Sequence, residues 1–315
     1  MSLKRSGWNR TIRHDPPNHY TTTNCTNTVE KANRITNNEG ENELLIDIEK
    51  VFASKNPGLL KIIPSFIIRY LKKITHQDEI NALIARSRNK KGIEFSIAIL
   101  EEFGAQFNTK GMENLPDSGR FIFASNHPLG GMDGIALIAA LGPKFSNLKF
   151  PVNDILMNIK GLNNIFIPIN KHGGHSKEAA RVIEAAYESD AQVIMFPAGL
   201  VSRKQKGIIA DLEWKKSFIK KAIQHKRDII PVHITGHNSN FFYNLANWRK
   251  RLGIKANIEM LYLADEMYKQ KGENLTIRFG KPIAWETLTQ SKTAGEWAQK
   301  IKTMAYDLAN PDNYK

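Results

Sequence analysis

At 315 residues, with 41% hydrophobic and 24% charged side chains, the chain is long enough for one large globular domain or for a small domain joined to a larger one. Its 45 Lys+Arg against 31 Asp+Glu leave a formal charge of +14, which points to an anionic partner such as a membrane surface, a nucleic acid or an acidic carrier protein. The single cysteine, Cys25, excludes an intramolecular disulfide and a thiolate zinc cluster and favours a reducing compartment.

Residues 1–40 are rich in Asn, Thr and charge, contain Pro16-Pro17 and Thr21-Thr22-Thr23, and lack apolar periodicity. Burial there would not offset the entropy of ordering, so a disordered arm is expected. Met1 to Arg13 carries basic residues but no apolar h-region, and no apolar run reaches the ~18 residues a spanning helix needs. The expectation is a chain made soluble, in the cytoplasm.

Residues 41–104 read as a helical segment. Leu44, Leu45, Ile48, Val51 and Phe52 recur at helical spacing until Asn56-Pro57-Gly58 interrupts. The run Leu59 to Ile74 then mixes a large apolar surface with Lys61, Arg69, Lys72 and Lys73, and Pro64 would kink it or start its second half. Two readings stand: a helix lying in a lipid interface, apolar side down and cations at the headgroups, or a core-packing helix with a solvated basic edge. One or two further helices are expected over Asp78 to Leu100, broken at Asn89-Lys90-Lys91-Gly92.

From 105 to 315 short apolar runs alternate with amphipathic stretches, which predicts an α/β fold with a mostly parallel central sheet flanked by helices. Strands are expected at Arg120–Ser125, Leu148–Val152, Ile165–Ile169, Gln192–Phe196, Ile229–Ile234 and Leu275–Phe279. Helices are expected at Met132–Leu141, Ser176–Ser189, Trp214–His225, Asn240–Leu252 and Ala294–Ala309. There is no internal repeat, P-loop or GxGxxG fingerprint, which argues against nucleotide binding.

Four loops at predicted strand ends carry unusual polar residues, where an open α/β sheet binds its ligands. The first, Asn126-His127-Pro128-Leu129-Gly130-Gly131-Met132-Asp133, brings an imidazole and a carboxylate into one Gly-rich turn, the pairing of a general base with the group that fixes its tautomer. The second, Asn170-Lys171-His172-Gly173-Gly174-His175-Ser176, carries a cation and opens a helix with Ser176 as N-cap. In the third, Phe196 to Lys204, backbone NH groups near Gly199, the Ser202 hydroxyl and Arg203 could converge on a phosphate or carboxylate. The fourth, Pro231 to Ser239, is a strand running into a turn.

Each feature has a plainer explanation. A lone His–Asp pair is more often a surface turn interaction, Gly130 and Gly131 could serve a turn that needs positive φ, and Arg203-Lys204 could be a solvated basic edge. His172, His175, His233 and His237 with Asp133 invite a zinc reading, which ranks low because no HExxH is present and His233 and His237 straddle a strand end. The combination of loops is what points to chemistry.

In this order the loops resemble the blocks of the lysophospholipid acyltransferase superfamily over about residues 110–285. The first block of that family is NH-four-residues-D, and here Asn126-His127 is followed by Asp133 one residue further along, a length that Gly130-Gly131 could absorb. The spelling NHPLGGMDG is similar to a hemolysin-like subgroup that includes ornithine and glycine lipid O-acyltransferases. Asn164 to Lys171 matches the second block with Lys171 in place of the usual arginine, Phe196-Pro197-Ala198-Gly199 matches FPEG with alanine for glutamate, and Ile229-Ile230-Pro231-Val232 matches the fourth block.

The resemblance implies a membrane-associated O-acyltransferase of lipid biosynthesis, peripheral on the inner face of the cell membrane. It would use acyl-ACP or acyl-CoA as co-substrate with no further cofactor, and a lysolipid hydroxyl as acceptor. His127 would be the base and Asp133 its orienting group. Asn126, Gly130, Gly131, Lys171, Gly199, Ser202 and Arg203 would bind substrate. Anionic membrane lipids and acyl carrier protein would be partners. Nucleic acid is not expected, although Arg249-Lys250-Arg251 and the charge leave a non-catalytic basic membrane-binding module as a rival reading, and a lipid hydrolase using the same dyad as another.

Overall fold

The short apolar runs become adjacent strands because each supplies two apolar faces. In β2 (Phe121–Ser125) Phe121 and Phe123 face one hydrophobic core while Ile122 and Ala124 face another, and all five residues are buried. That double burial is the mark of a parallel strand covered by helices on both sides. The computed structural model describes residues 46–55, 58, 62–153, 156–169 and 176–310, and from Leu45 onward the chain makes one compact unit. The expected arm, Cys25, Leu59–Lys61 and Asn170–His175 lie outside the described residues.

The main sheet has seven strands in the order β1-β9-β8-β2-β5-β3-β4, with β1 at Gln106–Lys110, β3 at Leu148–Val152, β4 at Phe166–Pro168, β5 at Gln192–Met195, β8 at Asp228–Ile234 and β9 at Asn274–Phe279. Strands β8, β2, β5, β3 and β4 are mutually parallel, while β9 pairs antiparallel with β8 and parallel with β1. A separate antiparallel ribbon joins β6 (Arg203–Gln205) to β7 (Ile208–Ala210). The mostly parallel α/β sheet is as the sequence predicts, and each of the six expected strands is present with ends within a residue or so. Strand β1 and the ribbon were not expected.

Helices α1 (Ile48–Lys55), α2 (Ser65–Ile74), α3 (Gln77–Arg86) and α4 (Gly92–Glu102) precede the sheet. Pro64 stands immediately before α2, where its missing NH and fixed φ do no harm. The helix packs on the core as one of the two readings has it, through Ile68, Leu71 and Ile74, while Phe66, Ile67 and Tyr70 are exposed beside Arg69 and Lys73. Helix α4 packs on α5 (Gly131–Leu141), whose own flank is almost wholly buried, and this pair covers one side of the sheet.

The other side is covered by α6 (Ser176–Glu188), α7 (Ser217–His225) and α10 (Ala294–Asp307), through Tyr187, Phe218, Trp297 and Ile301. Helix α7 begins three residues later than the expected Trp214, because Trp214 turns its indole NH onto Asp211 at 2.9 Å and is buried in the core instead. Helices α8 (Asn240–Arg251) and α9 (Leu263–Lys269) complete the fold, and α9 was not expected. Among the described residues no helix is long and apolar enough to cross a membrane.

Candidate active site

Five parallel strands put their carboxyl ends on one side of the sheet, and the segments leaving four of them, β2, β5, β3 and β4, line a cavity of about 520 Å³. His127 follows β2, Val152 ends β3 and Asn153 follows it, Ile169 follows β4, and Phe196 and Gly199 follow β5. Ile135, Phe150, Leu156, Ile159, Leu162, Phe166 and Met195 make the wall largely apolar, while Gly130, Gly131, Lys215 and Ser217 add polar and backbone surface. A pocket of this size and composition suits an apolar ligand with a polar reacting end.

His127 enters this cavity with its orientation fixed three times over. Its Nδ1 lies 2.8 Å from Asp133 Oδ2, and its ring stacks on Phe196 at 4.1 Å with planes 8° apart. Its backbone is clamped: the NH donates to Asp211 Oδ1 (3.2 Å), and the carbonyl accepts from the Ser202 NH (2.8 Å). With Nδ1–H donating to the carboxylate, Nε2 carries the lone pair of the neutral ring. The ring is about one-fifth exposed, and Asp133 is wholly buried.

Asp133 meets the ring in spite of the added residue. It stands in the first turn of α5, and Gly130, the N-cap, takes φ 93° and ψ −125°, a conformation that disfavours any residue with a Cβ. Oδ2 also accepts from the NH groups of Leu129 (2.8 Å) and Gly130 (2.9 Å), while Oδ1 is buried with no partner. Burial pushes the Asp133 carboxyl up, against the opposing pull of His127 and the two NH groups. With glycine at this turn, the imidazole–carboxylate contact forms across five intervening residues.

The other expected site residues divide. Gly130, Gly131 and Gly199 line the cavity with His127. The Gly130 NH is taken by Asp133 and the Gly199 NH by the Phe196 carbonyl (3.0 Å), so neither is a donor toward a ligand. Asn126 does not reach the cavity: it is buried, accepts from the Ile234 NH (2.7 Å) and donates to the Ile234 carbonyl (2.9 Å), tying the ends of β2 and β8 as a backbone pair would.

Ser202 and Arg203 also require correction. The Ser202 hydroxyl, buried, donates to Asp211 Oδ1 at 2.6 Å. Arg203 points inward, donating to the Val201 carbonyl (2.9 Å) and pairing with Glu259 (3.0 Å), which also binds Arg249 (2.8 Å). Burial lowers the Arg203 pKa, and the guanidinium is an internal brace between the ribbon and the turn around Glu259 rather than an anion clamp. Lys171 lies outside the described residues, as do His172 and His175.

Two further residues at the site were missed by sequence reasoning. Asp211 is buried and accepts from His127, Ser202 and Trp214, and its own NH donates to Tyr306 at 2.7 Å. Lys215, exposed at the cavity edge, places its ammonium 2.7 Å from where a Cβ on Gly199 would lie. The Asp-x-x-Trp-Lys spacing after the third loop is the one signal that could have pointed to them. Of the described metal-ligating side chains, Glu184, Glu188 and His225 cluster away from the cavity, and Lys221 already neutralises Glu184.

A family model described as acyltransferase matches residues 50–313. The chain is 53% identical over 265 residues to a lyso-glycine lipid O-acyltransferase of Bacteroides thetaiotaomicron, covering 84% of this chain and 97% of the relative. It is 51% identical to a lyso-glycine lipid O-acyltransferase of Phocaeicola vulgatus, over 84% and 95%. The crystal structure of the 1-acyl-sn-glycerophosphate acyltransferase PlsC of Thermotoga maritima aligns with TM-score 0.42 at 15% identity, over 78% of this chain and 92% of that one, a likeness too slight to carry an argument. With the matched span enclosing the whole cavity, the chain belongs to the acyltransferase family, in the lysophospholipid acyltransferase superfamily that its ordered loops resemble.

Proposed function

We propose that this protein transfers a fatty acyl group from acyl-ACP or acyl-CoA to the hydroxyl of a lysolipid of the lyso-glycine lipid kind, as a peripheral enzyme on the inner face of the cell membrane. The observation that carries the reading is an imidazole held at 2.8 Å by a buried carboxylate at the polar end of an apolar cavity. His127 Nε2 takes the proton of the acceptor hydroxyl as its oxygen attacks the thioester carbonyl. The carbon–sulfur bond then breaks, and the departing thiolate receives that proton from the imidazolium. Asp133 holds the tautomer and stabilises the imidazolium. No protein nucleophile and no cofactor beyond the co-substrate enters this scheme.

The tetrahedral oxyanion has a donor in the first turn of α5. A helix start leaves NH groups without helical acceptors, and with the Gly130 NH engaged by Asp133, Gly131, which lines the cavity, is assigned the donor's role. Lys215 is assigned the acceptor's anionic end, a role earlier given to Arg203, with Lys171 as a second cation. The excess of 45 basic over 31 acidic residues favours an anionic leaflet and an acidic carrier protein, at about 1 kcal/mol per cation near the surface. The exposed Phe66, Ile67 and Tyr70 of α2, flanked by Arg69 and Lys73, suit the headgroup region.

The test is an assay of purified protein on labelled lyso-glycine lipid with acyl-ACP, with acyl-CoA and with neither. Diacylated product that appears only with a donor is expected. Fatty acid released without a donor would replace the proposal with hydrolysis, in which the same dyad activates water.

A further inference from the structure

Helix α8 buries Phe242, Tyr243, Ala246 and Arg249, and leaves Phe241 and Trp248 exposed two turns apart on one stripe, which Leu252 and Ile254 extend past the helix end. Trp248 is 65% and Leu252 69% exposed, values that an aqueous surface does not favour for side chains grouped together. Lys250, Arg251 and Lys255 alternate with them along the chain and are exposed, and no acidic residue occurs from Asn240 to Ile258. The stripe is continuous with α2: the Phe241 ring meets Tyr262 edge-on at 5.0 Å, and the Tyr262 hydroxyl is 2.7 Å from that of Tyr70, one turn from Phe66. Tyr262 adjoins Leu263, whose side chain lies against Gly130 at the head of α5.

We propose that the segment from Phe241 to Ile254 is a second contact with the anionic phospholipid bilayer, so that the enzyme stands on two elements far apart in sequence and bridged by Tyr70, Tyr262 and Phe241. The inference rests on the lysolipid acyltransferase reading for the need to meet a bilayer. Independently of that reading, an amphipathic Trp and aliphatic tips in a segment whose exposed charges, Lys250, Arg251 and Lys255, are all cationic complement headgroup phosphates over acyl chains. A second copy of the chain is a poorer occupant, because a two-fold contact would press Lys250, Arg251 and Lys255 toward their own copies.

The test is co-sedimentation of the full chain with phosphatidylcholine vesicles and with vesicles containing phosphatidylglycerol. Trp248→Ala with Leu252→Ala is expected to lower partitioning about tenfold or more. Lys250→Gln with Arg251→Gln is expected to remove most of the salt-sensitive gain given by phosphatidylglycerol. Turnover of a short-chain lysolipid dispersed below micelle formation should be unchanged in both variants, which separates the two ideas: no turnover by the wild type sinks the function, whereas normal vesicle binding by both variants sinks the second contact. Quenching by brominated acyl chains, taken as the difference between wild type and Trp248→Phe, supports the contact. A stable dimer with Trp248 shielded from aqueous quencher overturns it.

Discussion

The loops after β2 and β5 leave the same end of the sheet, and both present glycine with polar side chains, yet they do opposite work. The first delivers His127 into the cavity and closes Asp133 beneath it. The second gives the cavity Phe196, Pro197 and the Gly199 backbone, and turns its polar side chains away: Ser202 to Asp211, Arg203 to Glu259. Charge in a loop therefore says little about contact with a ligand until its counter-ion is known. A buried guanidinium already paired is scaffolding.

The sharpest way to break that contrast is substitution on each side of it. His127→Ala should lower kcat by about 10³-fold or more, and Asp133→Asn by about 10²–10⁴-fold, with the thermal midpoint moved by no more than a few degrees; steady-state kinetics and a melting curve decide. Arg203→Met should do the reverse. Leaving Glu259 with one partner should cost about 3–5 kcal/mol of stability by urea unfolding, while the acceptor KM of the folded fraction stays as in wild type. A large rise in that KM alone would return Arg203 to the binding site.

A comparison of two histidines sharpens the point. His233 on β8 is buried with no partner on Nδ1, and burial, with Arg278 alongside, pushes its pKa down from 6.5 to about 4. It is neutral in the fold and protonates more readily once unfolded. Its contribution is therefore complete above pH 6.5 and is lost as pH falls from 6.5 through about 4. His233→Gln should make the stability curve shallower over that window by roughly 3 kcal/mol, read by urea unfolding at neutral pH and near the lower end. The smallest effect expected is at the cavity edge: Lys215→Ala should raise the acceptor KM several-fold, about 1 kcal/mol, in steady-state kinetics.

Much of this was legible because it is local. The alternation in Phe121–Ser125 and the runs at Leu148–Val152 and Gln192–Met195 announce strands, and Gly130-Gly131 between His127 and Asp133 announces the turn that lets them meet. Gln106–Lys110 was invisible because it is an edge strand, mostly exposed, with only Phe107 to suggest burial. The ribbon of β6 and β7 hid behind its charges, and Lys206 at φ 48° and Gly207 at φ 85° make a turn that composition alone does not announce. Asp211 acquires meaning only when the fold brings it 84 residues back to the His127 NH, and Arg203 only when Glu259, 56 residues on, closes over it.

One missing methyl group links the width of the apolar cavity to the pose of His127. Gly134 lies on α5 where an added Cβ would come 2.7 Å from the Phe150 ring. Phe150 is set edge-on to Phe166 at 5.6 Å and to Phe196 at 5.3 Å, and Phe196 is the ring stacked under His127. A side chain at 134 would push along this row of rings until it tilted the imidazole. Reshaping the apolar cavity through Phe150 therefore disturbs the seat of the imidazole as well.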